Sequence, residues 1–149
     1  MTNVLVVCHG NINRSALCAA ILKRHAGRDI SVRSAGFTKD GQRAAKKMRI
    51  AAAREGYNLE EHRSTLITQE LIKWSDLIVY MDGGNYKRLK EMLNGDMPKT
   101  TVACLGQWSL PHRDRIADPN FLKADSPEFN AIVSQIIEAS RNLAEELIA

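Results

Sequence analysis

One stretch near the start of the chain constrains the fold more than any other. Residues 4–15 read Val-Leu-Val-Val-Cys-His-Gly-Asn-Ile-Asn-Arg-Ser. Four consecutive apolar residues of this β-prone type are typical of a strand buried on both faces of a parallel sheet. An apolar run with helical spacing begins at Ala16. The segment from Cys8 to Arg14 is therefore predicted to be the turn that leads from the strand into a helix.

This turn carries residue types that suit an anion lying in front of the helix. A helix N-terminus presents unpaired amide groups and the positive end of its dipole, which stabilise both a thiolate and a phosphate. Gly10 and Asn11 reach left-handed backbone conformations at low cost, so successive amides can point inward. The Arg14 guanidinium can bind two phosphoryl oxygens at once, and Ser15 can donate a hydrogen bond to a thiolate at Cys8. The predicted phosphate-binding loop comprises His9, Gly10, Asn11, Ile12, Asn13, Arg14 and Ser15.

Residues 8–15 also fit interpretations other than a phosphate-binding loop with a catalytic cysteine. A cysteine followed by an arginine at this spacing also arises by chance, and an unpaired cysteine at a strand end is often a small buried apolar residue. Nucleotide binding of the Walker type requires a Gly-Lys-Ser/Thr ending, which is absent. The combination of strand, Gly-Asn turn, Arg14, Ser15 and helix favours a catalytic cysteine.

Strand-like and helix-like runs alternate along the rest of the chain. Besides residues 4–7, we predict strands at residues 29–35, 76–81 and 100–105 and helices at residues 14–26, 41–55, 66–74 and 83–93 or 84–93. This alternation predicts an α/β fold, with a four-stranded parallel doubly wound sheet and helices on both faces. Ligands of such sheets bind beyond the carboxyl ends of the strands. The segments predicted at those ends are Cys8, Ser34-Ala35-Gly36, Met81-Asp82 and the loop after Leu105.

Local signals also predict how two of the helices begin. Thr65 or Thr68 is the predicted N-cap of the third helix, and residues 110–125 are predicted to be an irregular loop. Ser126 caps a last helix in which Pro127 takes the first position. Its predicted apolar stripe consists of Phe129, Ile132, Val133, Ile136, Ile137, Leu143, Ala144, Leu147 and Ile148.

Composition limits the classes of protein that fit. A chain of 149 residues, 44% of them hydrophobic, has room for one ordinary core, so we expect a single domain over residues 1–149. Three cysteines without zinc-site spacing predict neither a disulfide framework nor a metal site and favour the cytoplasm. No leader or long apolar run is present, so we expect no membrane partner. The net charge of +4 suits an anionic substrate, and nothing indicates a nucleic acid partner.

Residues 8–15 resemble the signature of the low-molecular-weight protein tyrosine phosphatases, Cys-x-Gly-Asn-x-Cys-Arg-Ser. Asn13 stands in place of the second cysteine of that signature, and Ala16 in place of the usual proline. The resemblance covers nearly the whole chain. It continues through Ser34-Ala35-Gly36, Gly56 to His62, Met81-Asp82-Gly83-Gly84-Asn85 and Asp118-Pro119. It implies a flavodoxin-like fold of the phosphotyrosine phosphatase I type.

The resemblance implies a metal-independent phosphatase that needs no cofactor. Cys8 attacks phosphorus as a thiolate while Arg14 and the loop amides hold the equatorial oxygens. Asp118 protonates the leaving oxygen and then activates the water that hydrolyses the cysteinyl-phosphate. By resemblance, Asn11, Ser34 and His62 form a hydrogen-bonded network behind the loop, and Ser15 donates to the thiolate.

The expected partner is a phosphorylated protein or a small phosphate ester, and the loop is expected to bind phosphate, sulfate and vanadate. Phosphotyrosine-specific members of the family have aromatic walls near the sites that correspond to Phe37 and Phe121, which are therefore the substrate-pocket candidates. A basic rim favours a multiply charged ester instead, although such a run is usually a solvated helix face. This rim consists of Lys39, Arg43, Lys46 and Lys47.

Three alternatives stay open from the sequence. Thiol-dependent arsenate reductases share the fold and loop but use two further cysteines, and Cys104 alone cannot supply a close pair. A non-catalytic phosphate-binding module would lose the nucleophile or the acid, and both residue types are present. Asp114 is an alternative acid if the loop that carries Asp118 takes a different path.

Overall fold

The computed structural model, which describes residues 1–93 and 100–149, contains one parallel sheet. Its strands are β1 (Thr2–Val7), β2 (Ile30–Ala35), β3 (Leu77–Tyr80) and β4 (Thr101–Cys104). Their order is β2-β1-β3-β4, and every pair is parallel. The chain runs outward from β1 to β2 and then crosses to β3 on the other side of β1, so the strand order reverses there. The predicted doubly wound sheet is confirmed.

Five α-helices flank the strands in the part of the chain that is described. They are α1 (Arg14–His25), α2 (Lys46–Arg54), α3 (Gln69–Trp74), α4 (Gly83–Leu93) and α5 (Pro127–Ile148). A short 3-10 helix (Leu105–Trp108) follows β4, where the sequence predicted one more strand residue. Within residues 1–93 and 100–149, no helix has the length and apolar character needed to cross a membrane.

The completely buried end of β1 explains why helices cover both faces of the sheet. Side chains alternate between the faces of a strand, so its apolar residues need a cover on each side. Val4 and Val6 belong to the cluster formed with α1, α2 and α5, whereas Leu5 and Val7 belong to the cluster formed with α3 and α4. Residues 4–7 are 0% exposed. The central strand is thereby fixed rigidly, and with it the start of the loop that follows.

The long helix α5 begins as the sequence predicts. The Ser126 hydroxyl accepts a hydrogen bond from the Phe129 backbone N–H at 3.2 Å, and Pro127 is the first helical residue. Most of the predicted apolar stripe is buried. The last two residues of the stripe differ, since Leu147 is half-buried and Ile148 has 59% of its surface exposed.

Helix α2 begins at Lys46, so the predicted start at Gly41 is wrong. The preceding residues are held by long-range hydrogen bonds that a helix would break. The Gly41 N–H donates to the Ser64 carbonyl at 2.7 Å, with Gly41 at φ +83, and the Ala45 N–H donates to the Ile12 carbonyl at 2.9 Å. These bonds tie the segment to the loop that follows β1.

Helix α3 also begins later than the predicted range, at Gln69. Thr68 is its N-cap and accepts a hydrogen bond from the Leu71 N–H at 3.1 Å, which confirms one of the two predicted caps. Leu66 lies outside the helix because it forms an isolated parallel bridge with Gly36. Local helical spacing cannot reveal such a bridge, which joins segments far apart in sequence.

We expect Gly36→Ala to destabilise the fold because no space exists for a side chain. A Cβ atom at Gly36 would lie 2.9 Å from the Asn11 backbone nitrogen and 2.9 Å from the His9 carbonyl oxygen. The loss in unfolding free energy should be about 1–3 kcal/mol, measured by urea denaturation. Gly83→Ala is the control, since no atom of a described residue lies within 4 Å of its Cβ position, apart from the neighbouring backbone. Equal stability of the two variants would contradict this account of the packing.

Candidate active site

The loop between β1 and α1 holds the Cys8 sulfur at the N-terminus of a helix. The Asn11 backbone N–H donates to Cys8 Sγ at 3.3 Å. Of the two residues expected to allow a left-handed backbone, Asn11 adopts it, with φ 56, and Gly10 does not. The Ser15 hydroxyl oxygen lies 3.0 Å from the same sulfur. Because this oxygen accepts a hydrogen bond from Asn11 Nδ2 at 2.7 Å, its own hydrogen is free to point at the sulfur. Two donors therefore converge on Cys8.

A network behind the loop fixes the conformation of Asn11. Its side-chain Oδ1 accepts a hydrogen bond from the Thr65 N–H at 2.9 Å, and its carbonyl oxygen lies 2.6 Å from His62 Nε2. The structure thus brings Asn11, Ser15 and His62 together. It does not include Ser34, which pairs with Val6 in the sheet and whose hydroxyl forms no hydrogen bond with a described residue. The Asn11 side chain is held instead by the backbone N–H of Thr65.

His62 donates to the loop as a neutral imidazole. Since a carbonyl oxygen only accepts hydrogen bonds, the Nε2 atom that faces Asn11 carries the hydrogen. Burial lowers the pKa of His62, as do the positive charges of Lys23 and Arg63, and these effects outweigh the opposing influence of the bond to Asn11. The bond is therefore kept at neutral pH without placing a charge behind the loop.

Arg14 is buried below the loop, with 1% of its side chain exposed. Its Nη1 donates to Asp82 Oδ2 at 2.6 Å and to the Ile116 carbonyl at 2.9 Å. Its Nε has no hydrogen-bond partner among the described residues, and its Nη2 lies 3.6 Å from Asp118 Oδ2. One edge of the guanidinium is fixed by the protein, and donors on the other edge are left for an anion.

Asp82, the ion-pair partner of Arg14, was not among the site residues predicted from the sequence. Its carboxylate is 27% exposed. Burial raises its pKa, but hydrogen bonds from Arg14 and from the backbone N–H groups of Asn85 and Gly84, together with the charge of Arg14, outweigh burial and lower the pKa below its usual 3.8. The sequence feature that could have identified Asp82 is its position, because Met81-Asp82 was predicted to lie at the carboxyl end of a strand, at the same edge of the sheet as Cys8.

Asp118 reaches the same site from the loop before α5. Its Oδ1 accepts a hydrogen bond from the Asn120 N–H at 3.0 Å, while its Oδ2 faces Arg14. The side chain is 41% exposed, so it remains accessible to solvent and to a ligand. Asp114, the alternative acid, does not line the cavity that contains Cys8.

Cys8, Arg14 and Asp118 border a cavity of about 270 Å³ beyond the carboxyl end of β1. Asn11 and Ser15 lie behind its wall and are completely buried. A further polar atom, Asn13 Oδ1, is buried in the wall without a hydrogen-bond partner among the described residues. The lining residues are Cys8, His9, Gly10, Ile12, Asn13, Arg14, Thr38, Lys39, Gln42, Asp118 and Asn120.

Neither predicted aromatic wall lines this cavity. Phe37 is 8% exposed and belongs to the cluster formed with α3 and α4, so it does not serve as the predicted pocket wall. The centroid of its ring lies 5.0 Å from the Arg88 guanidinium carbon. Phe121 is 95% exposed and is not among the residues that line the cavity. The mouth is formed instead by polar side chains, among them Thr38 and Gln42.

Of the four residues predicted to form a basic rim, three do not line the cavity. Lys39 lines the cavity. Arg43 pairs with Glu60 at 3.1 Å in an exposed ion pair, which contributes little. Lys46 is exposed outside the cavity, and Lys47 is turned toward the loop that carries Asp118.

A cysteine at the head of a helix, a buried arginine and a carboxylate in one cavity of a flavodoxin-like sheet define a cysteine-based phosphatase. The profile described as low molecular weight phosphotyrosine protein phosphatase matches residues 3–149, and the chain belongs to that family. It is 31% identical over 148 residues to the low molecular weight protein-tyrosine-phosphatase Wzb of Escherichia coli strain K12, covering 99% of this chain and 96% of that one.

The chain is also similar to a phosphatase whose name gives phosphoarginine, and not phosphotyrosine, as the substrate. The protein-arginine-phosphatase of Geobacillus stearothermophilus is 27% identical over 141 residues, which cover 91% of this chain and 93% of that one. The solved structure of YwlE arginine phosphatase from the same organism has a TM-score of 0.85 at 27% identity, covering 99% of this chain and 93% of that one. Vibrio vulnificus Wzb, solved in complex with benzylphosphonate, also has a TM-score of 0.85 at 27% identity, with coverages of 97% and 98%.

We expect Asp82→Asn to lower the unfolding free energy by about 1–3 kcal/mol near neutral pH, because the buried Arg14 loses its charged acceptor. Since the folded-state pKa of Asp82 lies below the usual 3.8, its stabilisation is fully present above pH 3.8 and is lost as the pH falls through the folded value. The difference between wild type and variant should therefore shrink in acid. Urea denaturation over a pH series measures it.

Asp29→Asn is the matched control for this series. It removes one exposed carboxylate that makes no hydrogen bond or ion pair through its side chain with another described residue. A difference for Asp82→Asn that stays constant from neutral to acid pH would show that the charge of Asp82 does not stabilise Arg14.

Proposed function

We propose that this protein hydrolyses phosphate monoesters, with protein phosphotyrosine as the principal substrate, by way of a phosphoryl group carried on Cys8. The observation that carries the proposal is the convergence of the Cys8 sulfur, the unpartnered Arg14 Nε and the Asp118 carboxyl on one cavity. The family membership supports it. We further propose that residues 1–149 act as one catalytic domain, located in the cytoplasm.

In the first step the Cys8 thiolate attacks phosphorus, and the bond from phosphorus to the leaving oxygen breaks. The loop amides and the free donors of Arg14 face the equatorial oxygens, whose charge they stabilise without reorganisation. The protonated Asp118 gives its proton to the leaving oxygen, so a phenol or alcohol departs instead of a poor anionic leaving group. The product is a cysteinyl-phosphate and a free hydroxyl compound.

In the second step water attacks the cysteinyl-phosphate. The Asp118 carboxylate takes a proton from the water as its oxygen bonds to phosphorus, and the bond from phosphorus to sulfur breaks. Cys8 is restored as a thiolate, and inorganic phosphate leaves. The hydroxyl of Ser15 and the N–H of Asn11 favour this step because they stabilise the departing sulfur anion.

The cavity lining favours phosphotyrosine over phosphoarginine. A guanidinium group is a cation that requires acceptors or carboxylates around it. Among the described residues that line the cavity, one carries a carboxylate, Asp118, which faces Arg14, and Lys39 adds a cation. Ile12 adds an apolar surface that suits a neutral aromatic ring. The exposed ring of Phe121, next to Asn120 of the lining, is available to side chains that flank the phosphotyrosine.

The polar mouth supports a second candidate substrate, a small phosphate ester with further polar groups. Lys39, Thr38 and Gln42 supply hydrogen bonds at the place where an aromatic wall was expected. For either substrate, phosphate, sulfate and vanadate should bind the same loop as competing anions.

The arsenate reductase alternative is not supported by the cysteine positions. A redox relay needs further thiols that can reach Cys8. Cys18 and Cys104 are both buried, and neither lines the cavity. Burial raises the pKa of the Cys18 thiol to about 12, which suppresses the thiolate that a relay requires.

Hydrolysis of p-nitrophenyl phosphate in excess EDTA tests the proposal. We expect Cys8→Ser to abolish turnover, and Asp118→Ala to slow kcat by about 10²–10⁴-fold, because the leaving oxygen is no longer protonated. Cys18→Ser is the matched control, and it should keep activity because that thiol lies outside the cavity. Full activity of Cys8→Ser would contradict the proposal, and arsenate reduction coupled to a thiol donor would favour the alternative.

The substrate class is tested with matched peptides that carry phosphotyrosine or phosphoarginine. We expect kcat/KM to be at least about 10-fold higher for phosphotyrosine, since a charge of like sign at Lys39 disfavours the guanidinium. Lys39→Met should narrow this ratio by raising the phosphoarginine value. A preference for phosphoarginine in the wild type would overturn the assignment, and a preference for small esters over both peptides would favour the second candidate.

A further inference from the structure

Lys47, in the first turn of α2, binds the loop that carries Asp118. Its ammonium nitrogen donates to the carbonyl oxygens of Pro119, Asn120 and Leu122, each at 2.7 Å. An ammonium group has three hydrogen-bond donors, so all of them are used here. The charge of Lys47 is therefore committed to the protein and is not available to a substrate.

The three acceptors belong to one compact turn. The Leu122 N–H donates to the Pro119 carbonyl at 3.0 Å, and the Asn120 N–H donates to Asp118 Oδ1 at 3.0 Å. These bonds close residues 118–122 on themselves and direct three carbonyl oxygens to one point. Converging carbonyl dipoles repel each other unless a cation lies between them, and Lys47 supplies that cation.

Helix α5 supports the Lys47 side chain from below. The ammonium nitrogen lies 5.4 Å from the centroid of the buried Phe129 ring, within the range of a cation–π contact. The Phe129 backbone N–H also donates to the capping hydroxyl of Ser126 at the start of that helix. The loop is thus anchored to two helices through a single ammonium group.

Among the described residues, none makes a direct hydrogen bond that ties the Asp118 carboxyl to the base of the cavity, so its position depends on how the turn is held. Its Oδ2 is 3.6 Å from Arg14 Nη2, beyond hydrogen-bond distance. Its Oδ1 accepts a hydrogen bond from the Asn120 N–H within the turn and from no other residue that the structure describes. The carboxyl group moves with the backbone of residues 118–122.

We propose that Lys47 is a positioning residue, which holds the turn of residues 118–122 so that the Asp118 carboxyl stays over Cys8 and Arg14. This inference rests on the proposed phosphatase function, in which Asp118 is the general acid. Lys47 acts through Asp118, since it is not among the residues that line the cavity. A small displacement of the turn costs catalysis because proton transfer requires hydrogen-bond distance to the leaving oxygen.

The test compares two substrates that differ in their need for a proton donor. Phenyl phosphate has a poor leaving group, whereas 2,4-dinitrophenyl phosphate has a leaving group that departs as an anion. We expect Lys47→Met to lower kcat/KM for phenyl phosphate by about 10–100-fold and for 2,4-dinitrophenyl phosphate by less than about 3-fold. The inhibition constant Ki of inorganic phosphate should stay unchanged, because Arg14 and the phosphate-binding loop are intact.

Lys46→Met is the matched control. It removes the same charge from the neighbouring residue, which is exposed and forms no hydrogen bond or ion pair with another described residue. It should leave kcat/KM for both substrates unchanged. Lys47→Gln, which keeps two of the donors, should give an intermediate loss and serves as the second variant if Lys47→Met does not fold.

A double-mutant cycle separates positioning from a general structural role. In an Asp118→Ala background, Lys47→Met should have no further effect on kcat/KM for phenyl phosphate, because the group it positions is gone. An additive loss, an equal loss for both substrates, or no loss at all would overturn the role of Lys47. The proposed function fails separately, if Cys8→Ser keeps wild-type activity.

Discussion

The burial of one cation, the Arg14 guanidinium, is the constraint on which the site depends. A buried charge is costly unless it is paired, and the fold meets this demand with Asp82 and the Ile116 carbonyl. The sheet places these groups at neighbouring carboxyl ends, because Cys8 follows β1, Asp82 follows β3 and Ile116 lies beyond β4. Gly36, after β2, leaves room for the loop backbone to pass. Pairing covers only one edge of the guanidinium, and the other edge is what an oxyanion can use.

The two halves of the site are held in different ways. The phosphate-binding half is buried and is fixed by hydrogen bonds to Asn11 from His62 and Thr65, segments far away in sequence. The half that supplies the proton is an exposed turn held by Lys47. This division suits the chemistry, because charge stabilisation requires rigid donors, whereas the acid must stay accessible to a leaving group and then to water. The resemblance to known phosphatases pointed to the first half in detail and to the second only through Asp118.

The sequence was sufficient for features that depend on local pattern. The alternation of runs predicted the sheet, and the Gly-Asn turn predicted the left-handed Asn11. The sequence did not predict features that depend on contacts between residues far apart in the chain. Phe37 has the residue type expected of a pocket wall, but the path of the backbone after Gly36 turns its ring into the core. Likewise, Lys46 and Lys47 are adjacent and alike in sequence. Only the fold brings the carbonyl oxygens of a turn more than 70 residues away to one of them.

The most direct measurement is the site of covalent phosphorylation during turnover. The protein is mixed with p-nitrophenyl phosphate, quenched within the first turnover, digested and mapped by peptide mass spectrometry. We predict a phosphoryl group on Cys8, bonded to sulfur, in an amount that matches the burst of p-nitrophenol. A phosphoryl group on His9, which also lines the cavity, or a burst of product without any phosphorylated peptide would contradict it.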